Sequence, residues 1–261
     1  MRALAVIIVA LLLAAAFVKA EAPLYSAESI VNSADNQPGA LAPNTLATIY
    51  GQNLAYGTKA LSPDDIQGGT LPTVFPGTGV HVLIGNIVAN LIYVSPTQIN
   101  FLVPPNLIPT ALNLQVVVDS WAGPAIPIQL TAAAPALFQL DPQNAIATEA
   151  DGSVITPSTP AKPGDVIVLY ATGLGQTLPP VVYSLIPRAA ASLTEFASFT
   201  VSLDGTAVDP AAILYAGIAP NFGGLYQINL ALPASAGPNP QISIGVAGSL
   251  SPPGVTLPVQ P

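Results

Sequence analysis

One histidine and no cysteine occur among the 261 residues, which narrows the chemistry before any element is placed. A Ser-His-Asp triad would have to use His81. It stands in Val80-His81-Val82-Leu83-Ile84, where Val80, Val82 and Ile84 share one strand face and His81 takes the other. No nucleophile-elbow glycine pattern accompanies it, so His81 reads as a half-exposed strand residue. Without cysteine there is no disulfide framework, thiol catalysis, Cys-ligated zinc or iron–sulfur cluster. Transition-metal sites, which need several His or Cys ligands, fall with them. Gly173-Leu174-Gly175 superficially resembles a phosphate-binding loop. Such a loop opens a helix, and Pro179-Pro180 forbid one here. The glycines instead allow a tight strand exit, and no nucleotide cofactor is expected.

Carboxylates are the remaining reactive groups. Asp64-Asp65 lie between Pro63 and Gly68-Gly69, while Asp141, Glu149 and Asp151 cluster before and around a turn. Paired carboxylates can bind calcium or hydrolyse a glycosidic bond if they face each other. The alternating oxygen donors of an EF-hand are missing. Three readings stay open: acids that form turns, a peripheral calcium site, or a catalytic pair. Trp121, the one tryptophan, joins Tyr56 and Tyr183 as candidates for stacking on a ligand. No catalytic or metal-binding residue is assigned.

The rest of the chain must position these groups. Only 7% of residues are charged, against 51% apolar, with 29 prolines and 21 glycines. An average soluble domain carries roughly 25% charged residues. So few cations exclude a phosphate-neutralising surface, and nucleic acid is not a partner. Met1-Arg2 precedes an apolar run from Ala3 to Val18, then Lys19-Ala20-Glu21. This predicts a signal peptide over residues 1–20, cleaved after Ala20. The alternative is a retained anchor, although the run is shorter than the roughly 20 residues that span a bilayer. Cleavage leaves Lys59, Lys162 and Arg188 against all thirteen acids. No later stretch is apolar enough to span a membrane, so an exported chain is expected, in the periplasm, on the cell surface or secreted.

Blocks of the sequence recur in order. Leu41-Ala42-Pro43-Asn44 through Tyr50-Gly51-Gln52-Asn53-Leu54 parallels Ala161-Lys162-Pro163-Gly164 through Tyr170-Ala171-Thr172-Gly173-Leu174. Gln98-Ile99-Asn100 parallels Gln227-Ile228-Asn229, and Ala22-Pro23-Leu24-Tyr25 resembles Ala134-Pro135-Ala136-Leu137. The offset changes from 120 to 129 residues, which marks an insertion in the second copy. Within each copy short β-branched runs end at turn residues. Asp204-Gly205 and Asp151-Gly152 are strong hairpin signals. Only Tyr183 to Phe196 has room for a helical turn, and Pro187 interrupts it. The fold class is therefore all-β: two tandem immunoglobulin-like sandwiches of about seven strands each, over residues 21–132 and 133–261. Ile99 and Ile228 are expected in the cores. The adjoining amides Gln98, Asn100, Gln227 and Asn229 are expected to brace the Tyr50 and Tyr170 strands.

The run Pro43…Ile49-Tyr50-Gly51-Gln52-Asn53-Leu54 resembles the opening strand of IPT/TIG domains, whose pattern is a proline, a strand, then Gly-x-Asn-Leu. The chain from about Leu24 to Val259 resembles a family of secreted acidobacterial proteins with paired immunoglobulin-like C-terminal units. Tyr93-Val94-Ser95-Pro96-Thr97-Gln98-Ile99-Asn100-Phe101, Tyr170-Ala171-Thr172-Gly173-Leu174-Gly175 and Gly224-Leu225-Tyr226-Gln227-Ile228-Asn229 carry that likeness. The resemblance implies fold and export, and it implies no chemistry. Fold alone does not confer function. The reading is an exported, non-catalytic protein acting in adhesion or assembly, its partner a protein or a neutral polysaccharide at the cell envelope. The alternatives are a carbohydrate-binding module or a polysaccharide-acting enzyme using the loop acids. The oligomeric state is left open.

Overall fold

Alternating burial organises the strands in a computed structural model of the chain, which describes residues 21–260. The signal segment lies outside the described residues. Val80, Val82 and Ile84 are buried while His81 and Leu83 are half-buried, and Leu114, Val116 and Val118 alternate in the same way. That period of two gives each sheet one apolar face. Among the described residues there are strands and four short 3-10 turns, with no α-helix. Of the stretch from Tyr183 to Phe196, only Phe196 enters such a turn, Phe196–Ser198.

Four antiparallel sheets form two sandwiches. In the first, Ile30–Asn32, Leu46–Tyr50, Gln98–Leu102, Asn90–Val94 and Lys59–Ala60 lie side by side in that order. They face Ile126–Gln129, Ala111–Val118, Val80–Ile84 and Ile87–Val88, with Trp121–Ala122 folded back on Ala111–Val118. The second sandwich packs a sheet centred on Val166–Thr172 and Tyr226–Ala231 against Thr200–Leu203 and Ile242–Val246. One apolar core draws on residues from Ile30 to Leu130, the other on residues from Ala133 to Val259. Burying each such aliphatic side chain is worth about 1.5–3 kcal/mol.

The repeated sequence blocks make matching hydrogen bonds. Tyr50 pairs with Gln98 and Thr48 with Asn100, just as Tyr170 pairs with Gln227 and Val168 with Asn229. Leu41 forms a parallel bridge to Leu130, and Ala161 forms one to Val259. Asn53 and Gly173, equivalent positions, both have left-handed backbone, with φ of 57° and 76°. So do Asn44 and Gly164, at 66° and 94°. Asn and Gly are the residues that tolerate this region best.

Where the repeat is interrupted, the sandwiches meet. The extra residues between Ile213–Ile218 and Tyr226–Ala231 place Gly223 and Gly224 against Leu102, and Gly224 also against Leu46. A Cβ on Gly224 would sit 2.5 Å from a Leu102 methyl, so the contact depends on glycine. Thr172 Oγ1 donates to the Gly224 carbonyl (2.7 Å) and accepts from the Leu46 N–H (2.9 Å). A second seam joins loops: the Leu71 N–H donates to the Ser184 carbonyl (2.8 Å), and the Ile186 N–H to the Gly69 carbonyl (2.9 Å). Buried Asn90 donates to Ser184 Oγ at 2.9 Å across the same seam. The pair is thus bonded along two lines.

Candidate functional site

In the first sandwich the turn after Ala111–Val118 and the loop after Leu46–Tyr50 expose an unusual set of side chains. Val118 pairs with Trp121 around the two-residue turn Asp119-Ser120. Asp119 there has φ +53° and donates its N–H to the Gly79 carbonyl at 2.9 Å. Its carboxylate lies over Gly79, where a Cβ would come 1.9 Å from Oδ1. Gly79 also has φ +64°, so glycine is required there twice, for backbone and for space. Tyr56 reaches the same carboxylate from the loop after Leu46–Tyr50. That loop is held by fully buried Leu54, whose N–H donates to the Pro96 carbonyl at 3.0 Å. Partial desolvation, then the adjacent Asp119 charge, raise the Tyr56 phenol above its ordinary range.

Tyr56 and Trp121 remain 49% and 46% exposed although both are large rings. This part of the surface therefore presents Tyr56 beside Asp119, with Trp121 two residues along the chain from Asp119, to solvent. Such rings offer flat apolar faces, and the carboxylate accepts short, charge-assisted hydrogen bonds. The second sandwich lacks it: Gln176, Ala247 and Ser249 occupy the positions of Tyr56, Asp119 and Trp121. The turn itself is unchanged, since Ala247 keeps φ +51° and Val246 pairs with Ser249. The three side chains are thus not demanded by the fold.

The other sequence candidates have structural partners. Tyr183 is half-buried, and its hydroxyl donates to the Val88 carbonyl across the loop seam. That bond ties the tip of the ring to the first sandwich and leaves part of its face exposed. Gln98 Nε2 donates to Asn100 Oδ1 (2.8 Å), and Gln227 Nε2 to Asn229 Oδ1 (3.2 Å). Ile99 and Ile228 between them are fully buried. Tyr50 donates to Asn36 Oδ1 at 2.9 Å, while Gly51 makes room for the Leu24 carbonyl.

Most of the acids are tied into local turns. Asp65 accepts from Ser62 and pairs with Lys59 at 2.9 Å. Ser62, then Lys59, hold its carboxyl below the usual range. Asp141 accepts from Asn144 and Gln143, and Asp151 from Ser153, as turn formers. Desolvation, then Asp165 and Asp151, push Glu149 up. Among the described residues no three His, Asp or Glu side chains are grouped so as to hold a metal ion. Asp119 escaped the sequence reading. The signal was its place in Val118-Asp119-Ser120-Trp121, one turn before the single tryptophan.

The fold defines a protein of tandem immunoglobulin-like β-sandwiches. Residues 31–132 match the IPT/TIG domain family, and that domain is present here. No curated protein matches the sequence. Among solved structures, the chain is similar to a Bacteroides ovatus protein, SGBP-B of a mixed-linkage glucan utilization locus, in complex with a mixed-linkage heptasaccharide. Identity is 11%, with 92% of this chain and 46% of that one covered, at a TM-score of 0.35. It is also similar to the plexin A4 extracellular region (11% identity, 94% and 16% covered, TM-score 0.30) and to domains 5-6 of the S-layer protein SbsC (9% identity, 91% and 98% covered, TM-score 0.27). The chain spans less than half the length of the B. ovatus protein. No helix among the described residues is long and apolar enough to cross a membrane.

Proposed function

We propose that the chain is an exported, non-catalytic glycan-binding protein of the secreted acidobacterial type, cleaved after Ala20 and built of domains 21–132 and 133–261. The observation that carries this reading is the Tyr56–Asp119–Trp121 cluster, exposed in the first sandwich and absent from the second. Pyranose rings pair an apolar CH face with hydroxyl donors, which suits aromatic faces beside an acceptor. The surface carries few charges, so contact with a neutral polysaccharide strips little bound water from ions. The loop acids, mostly tied into turns, supply no catalytic pair in this reading.

The test is affinity electrophoresis of the mature protein through gels containing neutral polysaccharides, mixed-linkage glucan and xyloglucan among them. Trp121→Ala and Tyr56→Ala should abolish retardation with little change in stability. Absence of retardation in every gel, or retardation indifferent to Trp121→Ala, overturns the reading. A protein partner is the second reading. It is favoured by Val182, Leu185 and Phe222, exposed apolar side chains on the junction loops, which the Asn221 N–H to Pro187 carbonyl bond draws together.

A further inference from the structure

Glycine follows an acid at Asp151-Gly152 and at Asp204-Gly205, and no asparagine precedes a glycine. An aspartyl-glycyl bond rearranges without an enzyme when the glycine nitrogen attacks the side-chain carbonyl carbon of the aspartate. Glycine leaves that approach clear because it has no Cβ. Asp141 and Asp209 are followed by proline, which has no N–H to lose.

The two aspartyl-glycyl pairs are both exposed, but the fold holds them differently. Gly152 donates its N–H to the Glu149 carbonyl at 2.9 Å. Asp151 Oδ1 accepts from the Ser153 hydroxyl at 2.7 Å and from the Ser153 N–H at 2.9 Å. Those bonds hold the Asp151 carboxyl below its usual range, and ring closure needs a carboxyl that can lose a hydroxyl. Nucleophile and electrophile are thus both tied. At the other pair the Gly205 N–H has no hydrogen-bond partner among the described residues. Asp204 Oδ1 accepts a single bond, from the Gln241 N–H at 2.8 Å. A Cβ on Gly205 would meet nothing within 4 Å, so the turn is open to the water that must later reopen the ring.

We infer that Asp204-Gly205 is a self-modification site of the second sandwich, where the chain closes to a succinimide and reopens as isoaspartate in preference to Asp151-Gly152. In the first step a bond forms between Gly205 N and Asp204 Cγ. The Cγ–OH bond breaks, and the amide proton leaves with that hydroxyl as water. In the second step water adds to the former backbone carbonyl carbon of residue 204. Its bond to the nitrogen breaks, and the nitrogen takes back a proton. Water lost is water regained, and nothing is oxidised or reduced. The backbone then runs through Cβ and Cγ, one carbon longer, with the carboxyl left on Cα. The Asp204 N–H donates to the Gln241 carbonyl at 2.8 Å in the unmodified turn, so both Asp204–Gln241 bonds fall out of register in the product.

The experiment incubates the mature protein in warm, weakly acidic buffer, with and without urea, and labels isoaspartate with protein isoaspartyl methyltransferase and radioactive S-adenosylmethionine. Peptide mapping assigns the label. In the native protein, label at residue 204 should exceed that at 151 about tenfold, the rate equivalent of one hydrogen bond on the attacking nitrogen. In urea, which removes both environments, the two sites should react at similar rates. Asp204→Glu, which would need a six-membered ring, should lose the label at 204 and keep that at 151. Equal native labelling, excess at 151, or a native residue 204 that stays unlabelled while the urea sample reacts overturns the inference. An excess at 204 that persists in urea overturns it as well, because sequence and not fold would then set the preference.

Discussion

The two sandwiches carry one hydrogen-bond plan but make different use of the same end. In the second, the loop after Val166–Thr172 turns towards its neighbour: Gly173 lies against the Ala134 carbonyl and Thr45, and Gly175 accepts from Tyr226. In the first, the equivalent loop carries Tyr56 into solvent beside Asp119. What is a joint in one copy is a display surface in the other. Duplication of this kind leaves the core pattern intact, because Ile49, Ile99, Leu169 and Ile228 are all fully buried, while the ends of the sandwich diverge. Function is therefore to be sought where equivalent positions disagree.

The sharpest way to break that comparison is to swap a residue between copies. Asn53 and Gly173 share a left-handed backbone, but only Gly173 faces a carbonyl, that of Ala134, 2.1 Å from where a Cβ would stand. Gly173→Asn should cost about 3 kcal/mol, a steric clash at a packed joint, although Asn is the native residue in the other copy. Asn53→Gly should stay within about 0.5 kcal/mol, as surface changes do. Equal costs in urea denaturation would show that the two loops are not held differently. Next in size is Tyr226→Phe, which leaves Asn44 and the Gly175 carbonyl without their shared hydroxyl. It should lose about 2 kcal/mol, whereas the equivalent first-copy residue, exposed Thr97, should tolerate Val. A change of less than about 0.5 kcal/mol in Tyr226→Phe would mean that the bridge does not hold the joint.

Much of the fold was legible because it rests on local pattern. Val80, Val82 and Ile84 announce a strand by alternation. Asp204 and Gly205 both take positive φ, 48° and 76°, as the type I′ turn requires. The Tyr56–Asp119 pairing was not legible, since residues 56, 79 and 119 meet only after two sheets have formed. Nor could composition tell that the Tyr183 hydroxyl meets the Val88 carbonyl while that of Tyr56 meets Asp119. The junction left one trace in the sequence, the change of offset from 120 to 129. Part of that added length is the loop that sets Gly223 and Gly224 against the first sandwich.

The smallest expected effect concerns two aspartates of the first sandwich with opposite settings. Asp65 is held low by Ser62 and Lys59, so its folded state favours the charge. That contribution is present above the ordinary carboxylate range near pH 4 and is lost as pH falls through the depressed folded value. Asp35 is raised, because desolvation outweighs its bond from the Gln37 N–H. Its cost is therefore present at neutral pH and relieved as pH falls through the raised value. Asp65→Asn should destabilise the protein at pH 7, and the deficit should fade in acid. Asp35→Asn, which keeps a carbonyl oxygen to accept from Gln37, should stabilise it at pH 7, and that gain should also fade in acid. Thermal melts of both variants across pH 3 to 7 decide the matter, and shifts of the same sign at pH 7 would refute the opposed assignment.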